Sequence, residues 1–121
     1  TASLVSMMKQ TIQSGTARMI YMSGFQRPAA GKTGTTSDNK DSWFAGFTPQ
    51  QTAVAWVGYD DNTPSGLTGA SGAAPIWLSF MQQAAQKDAP VDFDWPTAET
   101  YSETIAPTEP GANSFELIFV K

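Results

Sequence analysis

A chain of 121 residues, 40% apolar and 15% charged, has the composition of a globular protein that can bury a modest core. It contains neither Cys nor His, which excludes Ser-His-Asp and Cys-His nucleophilic machinery and the usual zinc sites, and leaves lysine, carboxylates and tyrosine as general bases. The net charge of −4 divides into +2 over residues 1–87 and −6 over residues 88–121, a distribution that argues against nucleic-acid binding by the tail and builds no strong basic patch elsewhere.

No apolar run approaches a membrane span, and no secretory signal opens the sequence. A start at Thr1 reads as the cut end of a longer polypeptide. The absence of cysteine leaves the redox compartment open. Residues 1–14 read as an amphipathic helix with Leu4, Val5, Met8 and Ile12 on one face and Gly15 as its stop. Inside it, Ser6-Met7-Met8-Lys9 spells Ser-x-x-Lys, and i to i+3 spacing puts both side chains on one face. The plainer reading is a solvated Ser and Lys on the polar side of a structural helix. Residues 16–27 form a short helix or turn, and Pro28 then disfavours helix at Arg27.

Three strands follow, at residues 29–36, 42–48 and 52–59, the second ending at the turn signal Thr48-Pro49-Gln50-Gln51. Between the first two, Ser37-Asp38-Asn39 has the composition of a β-connection. The third strand is apolar at nearly every position, which predicts cover on both faces and a sheet between helical layers. Asp60-Asp61-Asn62-Thr63-Pro64-Ser65-Gly66 is a loop whose adjacent aspartates read as solvated, because no third oxygen-rich cluster stands at metal-ligand spacing. Residues 73–86 form a helix with Pro75 in its first turn and Ile76, Trp77, Phe80 and Ala84 as its packing stripe. Beyond Lys87, Pro90, Pro96, Pro107 and Pro110 together with seven acidic residues give a linker-like segment. Val91, Phe93, Trp95 and the run Phe115-Glu116-Leu117-Ile118-Phe119-Val120 are its candidates for docking, the last as an edge strand or small module.

The chemically loaded stretch is Gly31-Lys32-Thr33-Gly34-Thr35-Thr36. Glycines flank Lys32 and remove bulk on both sides, so a backbone or ligand can lie close. Strand alternation puts Lys32, Gly34 and Thr36 on one face and Thr33 and Thr35 on the other. Such a strand offers a cation, N–H groups and hydroxyls to a peptide ending in a carboxylate. It is not a nucleotide-binding loop: that motif needs glycine where Gln26 stands, Gly24 is two residues too early, and strand rather than helix follows.

Lys-Thr-Gly is also a box of penicillin-binding proteins and serine β-lactamases. Around it the chain runs Ala30-Gly31-Lys32-Thr33-Gly34-Thr35-Thr36, then Asp41-Ser42-Trp43-Phe44-Ala45-Gly46, then Trp56-Val57-Gly58-Tyr59-Asp60-Asp61-Asn62, then Gly69-Ala70-Ser71-Gly72-Ala73-Ala74-Pro75-Ile76-Trp77. From about Thr1 to Gln86, this succession closely resembles the C-terminal part of the transpeptidase domain of class A (bifunctional) penicillin-binding proteins, which cross-link bacterial peptidoglycan. The resemblance implies an α/β (α+β) fold, with an antiparallel sheet covered by helices on both faces and left incomplete in this chain. Residues 1–87 become the C-terminal part of that domain, and residues 88–121 an acidic Pro-rich tail or small appended module.

The implied activity is that of a serine D,D-transpeptidase acting on stem peptides that end in D-Ala-D-Ala. Lys32 then supplies the positive field for the substrate carboxylate and for proton transfer. Thr33 and Thr35 donate hydroxyl hydrogen bonds, the Thr35 N–H forms half of the oxyanion hole, and Gly34 admits the acyl group. The family places its nucleophile helix far upstream and its Ser-x-Asn element before the Lys-Thr-Gly strand, so neither Ser6 nor Ser37-Asp38-Asn39 is that element, and both belong to another segment. No cofactor or metal is implied. The implied partners are the rest of the domain, the stem peptide and β-lactams, with no nucleic acid. Membrane contact comes only through the parent protein, at the extracytoplasmic, periplasmic face of the bacterial inner membrane. A class B penicillin-binding protein, a serine β-lactamase or D,D-carboxypeptidase relative, and a non-catalytic binding module of the same fold are the alternatives.

Overall fold

Pro28 turns the chain out of helix and into strand β1 (Ala30–Thr35), which pairs antiparallel with β2 (Ser42–Phe47), itself paired antiparallel with β3 (Thr52–Val57). These strands are seen in a computed structural model that describes residues 1–95, 100–106, 110 and 114–120. The β1–β2 link is a short helical turn, Ser37–Asn39, where Asp38 (φ 61°) and Asn39 (φ 52°) take left-handed conformations that Asp and Asn tolerate better than most residues. At the β2–β3 turn, the Thr48 hydroxyl accepts from the N–H groups of Gln50 and Gln51, doing the work assigned to the Pro49 signal.

The register sets the faces. Ser42, Phe44 and Gly46 lie beside Thr35, Thr33 and Gly31 on one face, while Trp43 and Ala45 lie beside Gly34 and Lys32 on the other. Helix α3 (Ala74–Ala84), with Pro75 in its first turn, packs on the first of these faces through Trp77. The Trp77 ring meets Phe44 at 5.1 Å and Phe25 at 5.7 Å, both edge-on. Its indole N–H donates to the carbonyls of Gly46 (3.2 Å) and Ala53 (3.1 Å). A Cβ at Gly46 would lie 2.8 Å from that indole, so glycine is what lets the helix come this close. Ile12 of α1 (Ala2–Gln13), Ala17, Ile20 of α2 (Met19–Met22), Phe25, Leu78 and Met81 complete the core.

Two packing stripes differ from those the sequence predicts. On α3 the buried positions are Ala74, Trp77, Leu78, Met81 and, just past its end, Ala85, whereas Ile76 and Phe80 are more than half exposed. The helix is rotated by the demand that Trp77 reach two strand carbonyls. On α1, Ala2, Ser6 and Ile12 are buried and Leu4 is exposed. The cause is the second sheet, a hairpin of β4 (Thr100–Ile105) and β5 (Phe115–Val120), whose Ile118 N–H donates to the Ser6 hydroxyl at 2.8 Å. Ser6 is therefore buried structure rather than solvated, and Lys9 is paired with Asp92 at 3.3 Å rather than free.

The expectation that β3 is covered on both faces also fails. Only Ala55 of that strand is buried, and Val54 and Trp56 stand exposed beside Trp43. Among the described residues, helices cover the three-stranded sheet on the Phe44 face, and the Trp43 face is open. The tail is tied down at its start: Arg27 donates to the Asp88 carbonyl at 2.6 Å and Gln50 to the Ala89 carbonyl at 2.8 Å. Pro96 and Pro107, read as linker punctuation, lie outside the described residues.

Truncating Trp77 removes the ring and both of its strand contacts. Trp77→Ala is expected to destabilise the chain by about 3–5 kcal/mol in urea unfolding, against about 0.5 kcal/mol or less for Val54→Ala on the open face. Ser6→Val leaves the Ile118 N–H without its acceptor, and its expected effect is about 1–3 kcal/mol. Hydrogen exchange at the Ile118 amide should speed up in Ser6→Val while the Trp77 indole N–H stays protected; an unchanged Ile118 amide would refute this anchoring.

Candidate functional site

The stretch from Lys32 to Thr35 occupies the end of an edge strand. Helix α1 packs against β1, and Ala30 and Gly31 are buried, so the strand is accessible from Lys32 onward. The uncrowded edge expected from the sequence is thus confined to its C-terminal half. The glycine at 31 has a local reason: a Cβ there would lie 2.6 Å from the Phe44 ring.

The register separates the four candidate residues. Lys32 and Gly34 lie on the open face with Ala45 and Trp43, and Thr33 and Thr35 lie on the face that carries Phe44 and Ser42. The Lys32 ammonium is exposed and donates to the Thr33 carbonyl at 2.9 Å. The Thr33 hydroxyl shares a hydrogen bond of 3.2 Å with that of Thr16, which ties β1 to the segment after α1. The Thr35 hydroxyl accepts from the Gly69 N–H at 2.9 Å. With one lone pair taken by a backbone donor, this hydroxyl keeps its own proton for an acceptor outside the strand.

Gly69 is a residue to which sequence reasoning assigned no role. It opens a wide helical turn, Gly69–Ala73, that leads directly into α3. A Cβ on Gly69 would fall 2.5 Å from the Trp43 carbonyl oxygen and 2.9 Å from both the N and O atoms of Gly34. Only a residue without a side chain can lie flat on the β1–β2 pair here. The turn is fixed by Thr68 and Ser71, whose side chains each accept from the other's backbone N–H. It is fixed also by the buried Ser42 hydroxyl, which donates to the Thr68 carbonyl at 2.6 Å and accepts from the Ala73 N–H at 2.9 Å. The sequence signal was present in the small-residue run Gly69-Ala70-Ser71-Gly72-Ala73, but which backbone it would lie against is a tertiary fact.

Asp41 was likewise unassigned. One carboxylate oxygen accepts from the Trp56 indole N–H at 3.0 Å and the other from the Thr36 hydroxyl at 3.1 Å, while the Asp41 N–H donates to that same hydroxyl at 2.8 Å. Asp41 thereby clamps the end of β1 to β3 across β2. The Ser37–Asn39 turn is held from outside, its Asn39 carbonyl accepting from the N–H and hydroxyl of Ser65. In the following loop, Asp61 is fully exposed, and hydrogen bonds from the Thr63 hydroxyl and then its N–H hold the carboxyl below its ordinary range. Among the described residues, no group of three acidic side chains is placed to hold a metal ion.

Chemically, the arrangement presents an ammonium group, a polarised hydroxyl and strand backbone along one accessible half-strand. These are donors for an extended peptide with a negative end.

No protein-family profile matches the chain. Individual proteins do. It is 40% identical to penicillin-binding protein 1B of Vibrio cholerae over 93 residues, which is 77% of this chain and 12% of that protein. It is 43% identical to penicillin-binding protein 1B of Escherichia coli over 74 residues, 61% of this chain and 9% of that protein. With penicillin-binding protein 1A of Aquifex aeolicus the identity is 39% over 94 residues, 76% of this chain and 13% of the relative. The crystal structure of penicillin-binding protein 1A from Haemophilus influenzae superposes with a TM-score of 0.74 at 26% identity, covering 94% of this chain and 19% of that one. By sequence over three quarters of its length and by fold over nearly all of it, the chain belongs to the class A penicillin-binding proteins, as a short segment of their length.

Proposed function

We propose that this chain supplies the Lys-Thr-Gly strand of a serine D,D-transpeptidase, and that residues 1–87 are the C-terminal part of its transpeptidase domain. The observation that carries the reading is the accessible half-strand Lys32–Thr35, whose Thr35 hydroxyl is oriented by the Gly69 N–H, in a chain 40% identical to a penicillin-binding protein. In this reading the nucleophilic serine, with its Ser-x-x-Lys and Ser-x-Asn elements, comes from another segment of the parent polypeptide. Ser6 is unsuited to that work, because its hydroxyl is buried and accepts from the Ile118 N–H.

The stem peptide lies extended along the edge of β1 with its terminal carboxylate toward the Thr35 O–H, within the field of the Lys32 ammonium that rises from the other face of the strand. The serine oxygen attacks the carbonyl of the penultimate D-Ala, and the developing oxyanion takes a hydrogen bond from the Thr35 N–H. The tetrahedral intermediate collapses with loss of the terminal D-Ala, whose amine receives a proton. The resulting ester is attacked by an amine of a second stem peptide, which forms the cross-link and returns the serine. Thr33 contributes to carboxylate binding on leaving Thr16, and Gly34 keeps the strand clear where the acyl group passes. A β-lactam acylates the same serine. The parent protein works at the periplasmic face of the inner membrane, which it reaches through an anchor elsewhere; among the described residues of this chain no helix is long and apolar enough to cross a membrane.

The test is labelling of the parent polypeptide by a fluorescent penicillin. Lys32→Ala, an exposed substitution that leaves the core intact, is expected to slow acylation by about a hundredfold with an unchanged melting temperature. Acylation at the wild-type rate in a folded Lys32→Ala protein refutes the assigned role. The 121-residue chain by itself is expected to gain no mass on penicillin treatment, and a covalent adduct on Ser6 would overturn the placement of the nucleophile elsewhere.

A further inference from the structure

Between α1 and the β4–β5 hairpin lies an open cleft of about 590 Å³, a volume typical of small-molecule sites. None of the strand β1 residues lines it. Three aromatic side chains, Tyr21, Phe93 and Trp95, face it together with the carboxamides of Gln10 and Gln13. The aromatic part is held in place. Phe93 meets Phe47 of β2 edge-on at 5.7 Å and 85°, and Trp95 stacks on Phe93 at 5.8 Å with the rings only 13° from parallel. The Lys9 ammonium sits 5.8 Å from the Phe93 centroid, so the platform is tied to α1 as well as to the sheet.

Charge decides against several ligand classes. Among the described residues the one cation in the lining, Lys9, is already paired with Asp92, and Glu116 adds a further carboxylate. Phosphate, nucleic acid and acidic peptides therefore find no free counter-charge. Polar side chains outnumber apolar ones around the cleft, which makes it a poor seat for a purely apolar ligand. The amides are partly committed to each other: Gln10 Nε2 donates to Gln13 Oε1 at 3.2 Å and to the Glu116 carbonyl at 3.4 Å, and Gln10 Oε1 accepts from Ser14. Gln13 Nε2 donates in none of these bonds, and Gln13 lines the cleft.

A ligand suited to these groups stacks C–H faces on flat rings and trades hydrogen bonds through neutral hydroxyl and amide groups. We propose that this cleft is a saccharide-binding site, taking a short uncharged oligosaccharide with one ring on the Trp95–Phe93 platform and its hydroxyls on Gln13 and the neighbouring amides. This inference stands apart from the transpeptidase reading, since it uses none of the β1 residues.

The experiment is saturation-transfer NMR on the full-length polypeptide that carries this chain, with tetra-N-acetylchitotetraose as the probe and an acetylated hexaproline amide as the competing class. Saturation transfer to the sugar, weakened about tenfold in affinity by Trp95→Ala and retained in Trp95→Phe, supports the site. Gln13→Leu, a surface change on α1, should weaken binding severalfold and keeps the test decisive if Trp95→Ala fails to fold. Lys32→Ala should leave sugar binding unchanged, which separates this outcome from the penicillin result. No transfer to the sugar from folded protein, transfer indifferent to both Trp95 and Gln13, or binding of the proline peptide in place of the sugar would each overturn the proposal.

Discussion

The indole of Trp77 is the contact on which the arrangement of the chain depends. Its N–H reaches the carbonyls of two neighbouring strands, Gly46 on β2 and Ala53 on β3, and its ring fills the space against Phe44 and Phe25. A hydrogen bond shared between two strands is directional in a way that apolar packing is not, so it fixes both the height and the rotation of α3. Ile76 and Phe80, as apolar as anything in the core, are turned outward as the consequence.

From the position of α3 follows the position of the turn before it. Gly69–Ala73 runs straight into the helix, and once Trp77 is docked the turn is brought down on the β1–β2 pair, where Gly69 touches the backbone of Gly34 and Trp43. The Ser42 hydroxyl then bridges the turn's two ends. Thr35 acquires its donor from this chain of constraints, not from its own strand. The geometry of the half-strand Lys32–Thr35 is in this sense a property of a helix that starts almost forty residues later.

Strands and turns were legible because their signals are local. Pro28, the Asp38-Asn39 pair and Thr48 each impose a backbone conformation on their immediate neighbours, and the three strands fall within two residues of where those signals put them. Lys32 stands out in the same local way, as a cation between glycines, and the structure leaves its ammonium exposed on β1. What was not legible depends on partners distant in the chain. The α1 face could not be read from periodicity, because its buried polar residue Ser6 is matched by Ile118, 112 positions away. The apolar run of β3 suggested two covered faces, yet apolarity records only that a face is meant to avoid water, not which segment covers it. Gly69 and Asp41 stood inside conspicuous blocks, but their work is to touch other strands, and a sequence does not print its cross-strand neighbours.

The open face closes the argument about what this segment is for. Trp43 and Trp56, their rings 6.2 Å apart, stand with Val54 and Ala45 on the same side of the sheet as Lys32. The Trp56 indole N–H is held by the Asp41 carboxylate although water reaches the ring. A contiguous exposed patch of large apolar groups is the kind of surface that other polypeptide covers. The chain spans 12% of the length of a relative with which it shares 40% identity. Lys32 sits at its border, with its ammonium on the nearest carbonyl. On the proposed reading, a segment laid over the tryptophans would desolvate the rim, and the lower local dielectric would strengthen the pull of that ammonium on a carboxylate laid along β1. On the reading proposed above, the segment carries half of a site, and the electrostatic strength of that half is set by whatever covers the open face.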